Sequence, residues 1–499
     1  MAYFNSLDLG IIILYLAGII GLGVWVGGKQ TNLKDYFLGS GQVPWWVSGL
    51  SIVATETSAV TFISIPALAF GGDISFLQVV LGYLVARVLL ASFVVPLYFK
   101  GEIYSPYQLL GDRFGMSAQK MVAILFLMAG VLAAGVRVYV TCIPLQLMFG
   151  LAESQIIIVI LFFVIASLVY TLIGGVKAVV WTDAVQFFVF TFGGVFALCF
   201  AVYHIDGGWG NAVAQASEGG KLLWFRTGFE GESKPFITSL FSGSLNIWMG
   251  VIGAAFLAFS SHGADQLIVQ RVLACGNAAD GRKAMVLSAV VILPLFALFL
   301  FVGVGLWVYY QANPVVPIEI PEIRPGVKKN DYLFPIFILT EIPHGVRGFL
   351  VVGILCAAMS SVSSALSALA SVSVKDVLGP FVSTKDERRL LGLSRRITLF
   401  WGGALILVAF LTQKVESVLT TAFSLSGLTS GALLGGVGLA VFGVRLRSHA
   451  VVMGMVSSVL VMIFVKSMTP IAWPWYTLLG ASVTLVVSFT FGRLGGHRD

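Results

Sequence analysis

Apolar runs of about 20 residues or more, joined by short polar links, fill the chain, and nowhere do apolar and polar positions alternate with a period of two. Runs of that length suit helices that cross a bilayer, each of which needs about 20 apolar residues. The missing alternation excludes a transmembrane β-barrel. About thirteen spans are predicted, with approximate limits 7–27, 45–71, 75–99, 119–149, 154–174, 179–203, 237–260, 283–310, 332–375, 394–412, 416–444, 449–468 and 472–492. The fold class is therefore an all-α membrane protein.

Several spans carry polar residues at mid-depth. The centre of the second, Ala54 to Thr61, holds Thr55, Glu56, Thr57, Ser58 and Thr61. A carboxylate in mid-membrane costs about 2.5–3.5 kcal/mol on insertion scales, so Glu56 should face a cavity or a partner. The hydroxyl density predicts a locally unwound helix, and Pro66 weakens the ladder further. Unwound backbone is tolerated at that depth where it lines a cavity. The seventh span, SLNIWMGVIGAAFLAFSSHGADQ, is interrupted in the same way by Asn246, Ser260, Ser261 and His262. Five spans run from the first interruption up to the second, which is the spacing of an inverted repeat.

In the ninth span, GILCAAMSSVSSALSALASVSVKD, the residues Ala357, Ser360, Ser361 and Ser364 fall at i, i+3, i+4 and i+7 on one helical face, with Ser363 beside it. Hydroxyl and carbonyl oxygens are ligands for a hard cation such as Na⁺; the alternative is close helix packing through small residues. Asp183 stands about a turn and a half beyond the Gly174–Gly175 break, either at the interface or as a cation ligand reaching into the bundle. Arg87 in the third span and Arg137 in the fourth need partners, and Glu56 suits either. The eleventh span carries Ser424, Ser426, Thr429 and Ser430 among glycines, for packing or for a gating helix near a solute. Glu56, Ser261 and Ser426 thus join the candidate solute contacts.

Composition agrees with the pattern: 58% of the residues are hydrophobic, 11% are charged, and the mean hydropathy is +0.96. The net charge of +7 is no nucleic-acid signal, because the basic residues gather in alternate links. Clusters such as Arg271/Arg282/Lys283 and Lys385/Arg388/Arg389/Arg395/Arg396 mark the cytoplasmic side, which puts the N-terminus outside and the C-terminus inside. The first span lacks the basic start and cleavage site of a signal peptide. The four cysteines match no metal spacing, and His204, His262, His344, His449 and His497 form no metal motif, so an enzyme is not expected.

The segments ATETSAVTFISIP, GGVKAVVWTDAVQ, DQLIVQR and AAMSSVSS together resemble the sodium:solute symporters, most closely the sialic acid and sodium–galactose type. The resemblance implies a leucine-transporter-like fold with two inverted five-helix repeats. An extra helix (7–27) would precede a first repeat (45–203) and a second (237–444), and C-terminal helices (449–492) would follow. It implies a main sodium site at Ala54, Thr57, Ala357, Ser360 and Ser361, and a second at Asp183, Ser363 and Ser364 with Ser360. It places Ser58, Thr61, Phe76 and Arg137 near the solute. Glu56 replaces a neutral residue of the sialic acid branch and so departs from it. The implied function is sodium-coupled symport of a small polar organic solute by alternating access, in a multi-pass protein of a bacterial inner membrane. The expected partners are Na⁺, the solute and the bilayer, with no nucleic acid and no obligatory protein partner. The competing readings are a proton-coupled transporter using Glu56 and a non-pumping channel or receptor.

Overall fold

A computed structural model describes the chain except residues 1–3, 102, 153–154, 230–235, 243–244, 314–321, 325–326, 329, 380–385, 413–417 and 495–499. Lys385 and His497 lie outside the described residues, as does the side chain of Ser424. The fold is almost wholly helical, with one small antiparallel hairpin pairing Glu322–Arg324 with Val327–Lys328.

Helix α1 (Ser6–Gly27) starts at a capping box, in which the Asn5 side chain accepts from the Asp8 N–H and Asp8 accepts from the Asn5 N–H. The second predicted span is two helices, α2 (Trp45–Glu56) and α3 (Ala59–Gly71), bent by 58°. Helix α4 (Leu77–Leu89) continues through a π-helical turn to Tyr98. Then come α5 (Met116–Met148) and α6 (Ile156–Tyr203). The second interruption separates α7 (Ala254–Gly263) from α8 (Gln266–Leu273). The remaining long helices are α9 (Ala278–Ala312), α10 (Val346–Val372), α11 (Glu387–Leu411), α12 (Val418–Val441), α13 (Ser448–Met468) and α14 (Tyr476–Leu494).

The fifth and sixth predicted spans are two helices that meet at a kink at Gly175, together the 48 residues Ile156–Tyr203. Gly175 has φ +58°, and a Cβ there would lie 2.6 Å from the Tyr36 carbonyl oxygen, so only glycine fits. At about 1.5 Å per residue the two are together roughly 70 Å long, twice the ~30 Å core of a bilayer. Among the described residues, nine helices are long and apolar enough to cross a membrane, or ten with the bent pair. Thirteen is reached only by counting the two helices that meet at Gly175 separately and by adding the shorter apolar helices Met249–Gly263 and Ser426–Val441.

Helix α10 is the centre of the molecule: 94% of its span is buried, and it packs on α6, α5, α11, α2 and α3. Helix α9 lies along both halves of the first broken helix. At Gly303 it comes so close that a Cβ would sit 2.1 Å from the Pro66 carbonyl oxygen. Helices α13 and α14 pack on each other and on α12. The serine face of α10 is thereby set against the break between α2 and α3.

Candidate ion and solute sites

The first break follows from diverted hydrogen bonds. In a continuous helix the Ser58 N–H would donate to the Ala54 carbonyl. Here it donates to the Glu56 carbonyl at 3.0 Å, while Thr57 and Ser58 adopt ψ +82° and +169°. The Ala54 carbonyl thus loses its ladder partner beside the serine face of α10. The second break is closed by Asp265, whose side chain accepts from the Leu267 N–H at 2.8 Å and caps α8.

A cavity of about 200 Å³ lies between the two breaks. All seven residues expected at the solute line it: Glu56, Ser58, Thr61, Phe76, Arg137, Ser261 and Ser426. The Phe76 ring stacks on Phe296 at a centroid distance of 5.7 Å and forms an apolar wall. Glu56 forms an ion pair with Arg87, not with Arg137. Arg87 is fully buried and also donates to the Ser288 carbonyl at 2.8 Å, so it does not snorkel toward an interface. His262 stands 3.7 Å from the same Glu56 oxygen, and its other ring nitrogen is 2.8 Å from the Ser261 hydroxyl. Among the described residues nothing hydrogen-bonds or ion-pairs with the Arg137 guanidinium, which faces the cavity together with Asp265. Sequence reasoning did not select Asp265, although its position at the head of DQLIVQR, just after the interruption, is the signal of a helix cap.

Helix α10, which carries Ala357, Ser360 and Ser361, packs on both α2, which carries Ala54 and ends at Thr57, and α3. The hydroxyls of Thr57 and Ser360 are both buried without a hydrogen-bond partner. Buried polar atoms are almost always paired, so two orphaned oxygens suit a bound cation. Ser361 donates to the Ala357 carbonyl at 3.2 Å and borders a void of about 10 Å³ shared with Ser58, room for about one water-sized particle.

Asp183 of α6 forms a second cluster with Ser360, Ser363 and Ser364 of α10. Ser363 and Ser364 both donate to the Ser360 carbonyl, at 3.1 and 2.5 Å. One Asp183 oxygen accepts from Ser51 at 2.7 Å, and the other is buried and unpartnered. Arg271 does not lie with the cytoplasmic basic links where the sequence places it: it is fully buried and pairs with Asp183 at 3.1 Å. Its position on the short α8, four residues beyond Leu267, turns it inward onto α2, α6 and α10 and away from the link that follows.

The sequence profile of the sodium:solute symporter family matches residues 36–458. The sodium/sialic acid symporter NanT of Aliivibrio fischeri is 27% identical over 97% of this chain and 93% of its own. The sodium/sialic acid symporter SiaT of Proteus mirabilis is 27% identical over 98% and 95%. A solved structure of a Na⁺-coupled sialic acid symporter, substrate-bound and outward-open, superposes with a TM-score of 0.87 at 24% identity and covers 98% of both chains. The nucleobase–cation symporter Mhp1 superposes with a TM-score of 0.57 at 14% identity, over 94% of this chain and 96% of its own. The fold is thus the leucine-transporter-like one, with its two inverted repeats. These matches run through both breaks and the serine helix, and the chain belongs to the sodium:solute symporter family, importing a solute with Na⁺ by alternating access.

Proposed function

We propose that the solute is a small polar organic acid or zwitterion whose carboxylate is held by Arg137. One observation carries this reading: Glu56 is taken up by Arg87, so that among the described residues the Arg137 guanidinium has no hydrogen bond or ion pair and faces the cavity. A guanidinium fork matches a carboxylate in two parallel hydrogen bonds. Glu56, Asp265 and the hydroxyls of Ser58, Thr61, Ser261 and Ser426 would receive the hydroxyl or amine end of the solute. The cavity of about 200 Å³ suits a molecule of modest size. Carboxylated sugars fall within this class, and two relatives are named as sialic acid symporters.

In this reading Na⁺ is the co-transported ion. The main site would use the Ala54 and Ala357 carbonyls with Thr57, Ser360 and Ser361, and a second would use Asp183 with Ser360, Ser363 and Ser364. The first sodium would hold the break between α2 and α3 against α10 and complete the cavity, so that ion and solute affinities are reciprocally linked. The repeats would occupy 45–203 and 237–444. The N-terminus would face outside and the C-terminus the cytoplasm of a bacterial cell, because the described basic links still favour one side. The ion pair with Arg87 speaks against Glu56 as a proton carrier.

The test is a thermal-shift screen of the purified protein against small metabolites in Na⁺ and in K⁺. Carboxylates that stabilise only in Na⁺, and lose the effect in Arg137→Gln, are the expected result. Stabilisation by neutral sugars alone, unaffected by Arg137→Gln, would overturn the assignment.

A further inference from the structure

The chemistry around Asp183 is unusual for a cation site, because a cation of the protein already occupies part of it. The Arg271 guanidinium donates from Nε to the Ser51 hydroxyl at 2.9 Å and from Nη1 to the Leu267 carbonyl. Its Nη2 reaches both Asp183 Oδ2, at 3.1 Å, and the Ser364 hydroxyl. Arg271, Asp183 and Ser364 are all fully buried. The remaining atoms are divided unevenly. Ser364 donates to the Ser360 carbonyl, receives Arg271 and lies 3.2 Å from the Thr55 hydroxyl, which uses up its oxygen. Asp183 Oδ1 and the Ser360 hydroxyl are buried with no partner. Half of the cluster is open to a cation, and the other half is filled by the guanidinium.

We propose that Arg271 is a tethered cation that competes with the second sodium ion for the Asp183–Ser364 cluster, so that this ion binds fully only as the arginine leaves Ser364. The inference rests on the reading that Asp183, Ser360, Ser363 and Ser364 receive a sodium ion. Two like charges sharing ligands a few ångströms apart in a buried site repel strongly, and solvent does little to screen them. The sodium would exploit the two unpartnered oxygens first and would gain Ser364 only in exchange for the guanidinium.

The competition has a mechanical consequence. Arg271 belongs to α8, one half of the second broken helix, whereas Asp183 is on α6 and Ser364 on α10. Its guanidinium therefore ties α8 to the central helix. Binding of the second sodium loosens that tie, and docking of α8 expels the ion; by linkage each disfavours the other. Arg271 acts as a positioning residue that couples ion occupancy to the placement of α8.

The test is a sodium titration of uptake in proteoliposomes with wild type, Arg271→Gln and Arg271→Lys, read as the half-saturating Na⁺ concentration and the Hill coefficient. Arg271→Gln should lower the half-saturating concentration by on the order of tenfold, since it removes the competing charge. Its Hill coefficient should reach or stay near two. Arg271→Lys keeps the charge but loses the fork, so it should show a smaller change in the same direction; this variant decides the matter if the Gln variant does not fold. Sodium affinity that is unchanged or weaker in the folded variants would overturn the proposal. If wild type and Arg271→Gln both give a Hill coefficient of one, the second sodium site itself falls. If wild type gives a Hill coefficient of two and the Arg271 variants keep the wild-type half-saturating concentration, only the competition falls.

Discussion

Neutralising Glu56 strips a buried charge of its partner. Arg87 is 0% exposed and its Nε has no hydrogen-bond partner, so in Glu56→Gln its guanidinium loses its countercharge and keeps only neutral acceptors, the Ser288 carbonyl and the new amide oxygen. Breaking a buried ion pair from one side costs about 3–5 kcal/mol. For 499 residues at about 2.1 cal/mol/K each, the unfolding entropy is roughly 1 kcal/mol/K, so the expected fall in Tm is about 3–5 °C. Arg87→Met leaves a carboxylate that is 18% exposed at the cavity wall and should cost less. The double variant Glu56→Gln/Arg87→Met removes both charges, and its loss should be smaller than that of Glu56→Gln alone. The assay is thermal unfolding of the four purified proteins in detergent, in Na⁺ and without solute. A double-variant loss equal to the sum of the single losses would refute the pairing. Uptake by Glu56→Gln should remain sodium-dependent with no new response to a pH gradient.

Ser360→Ala and Ser361→Ala should each raise the half-saturating Na⁺ concentration by about tenfold or more, the equivalent of about 1.4 kcal/mol for one lost ligand, as measured by sodium-dependent thermal shift. Asp73, just beyond α3, pairs with Arg226 of the link between α6 and α7. Burial raises its carboxyl pKa, but the hydrogen bonds from Arg226 and Ser75 outweigh this and hold it below the ordinary value of 3.8. The stabilisation is therefore full above that value and is lost as pH falls through the lowered one. Asp73→Asn should cost about 1–2 kcal/mol at neutral pH, as for a hydrogen bond to a charged group, and the gap from wild type should close as pH falls through the lowered value in a pH series of thermal unfolding.

The sequence made the site legible where chemistry and periodicity coincide. Hydroxyls packed around Glu56 announce the first break, because mid-membrane polarity demands a cavity. The i, i+3, i+4, i+7 spacing fixes which face of α10 the serines share. What it could not supply were choices among partners distant along the chain. Glu56 has two arginines within plausible reach, and only the folded packing, with α4 on α7 and α9 and α9 on α2, selects Arg87 over Arg137. Arg271 follows the apolar run of α7 and α8 as a cytoplasmic charge would, so hydropathy puts it in solvent; the inward face of α8 puts it on Asp183. The Gly174–Gly175 break is legible in the sequence, and the non-helical Gly175 separates the two helices there. Asp265 looked like part of a motif and became a cap in the cavity wall once the second break was in place.

Solute accumulation in proteoliposomes loaded without Na⁺ and diluted into it tests sodium coupling most directly. Each sodium contributes about 1.4 kcal/mol for a tenfold gradient, and each net charge about 2.3 kcal/mol per 100 mV. A monoanion carried with one sodium should accumulate about tenfold and ignore the membrane potential. With two sodium ions it should accumulate some thousands-fold at about 100 mV, inside negative, and collapse when the potential is removed. Accumulation that requires Na⁺ and persists at equal pH on both sides is the predicted result. Equal uptake in K⁺, or concentrative uptake driven by a pH gradient alone, would contradict it.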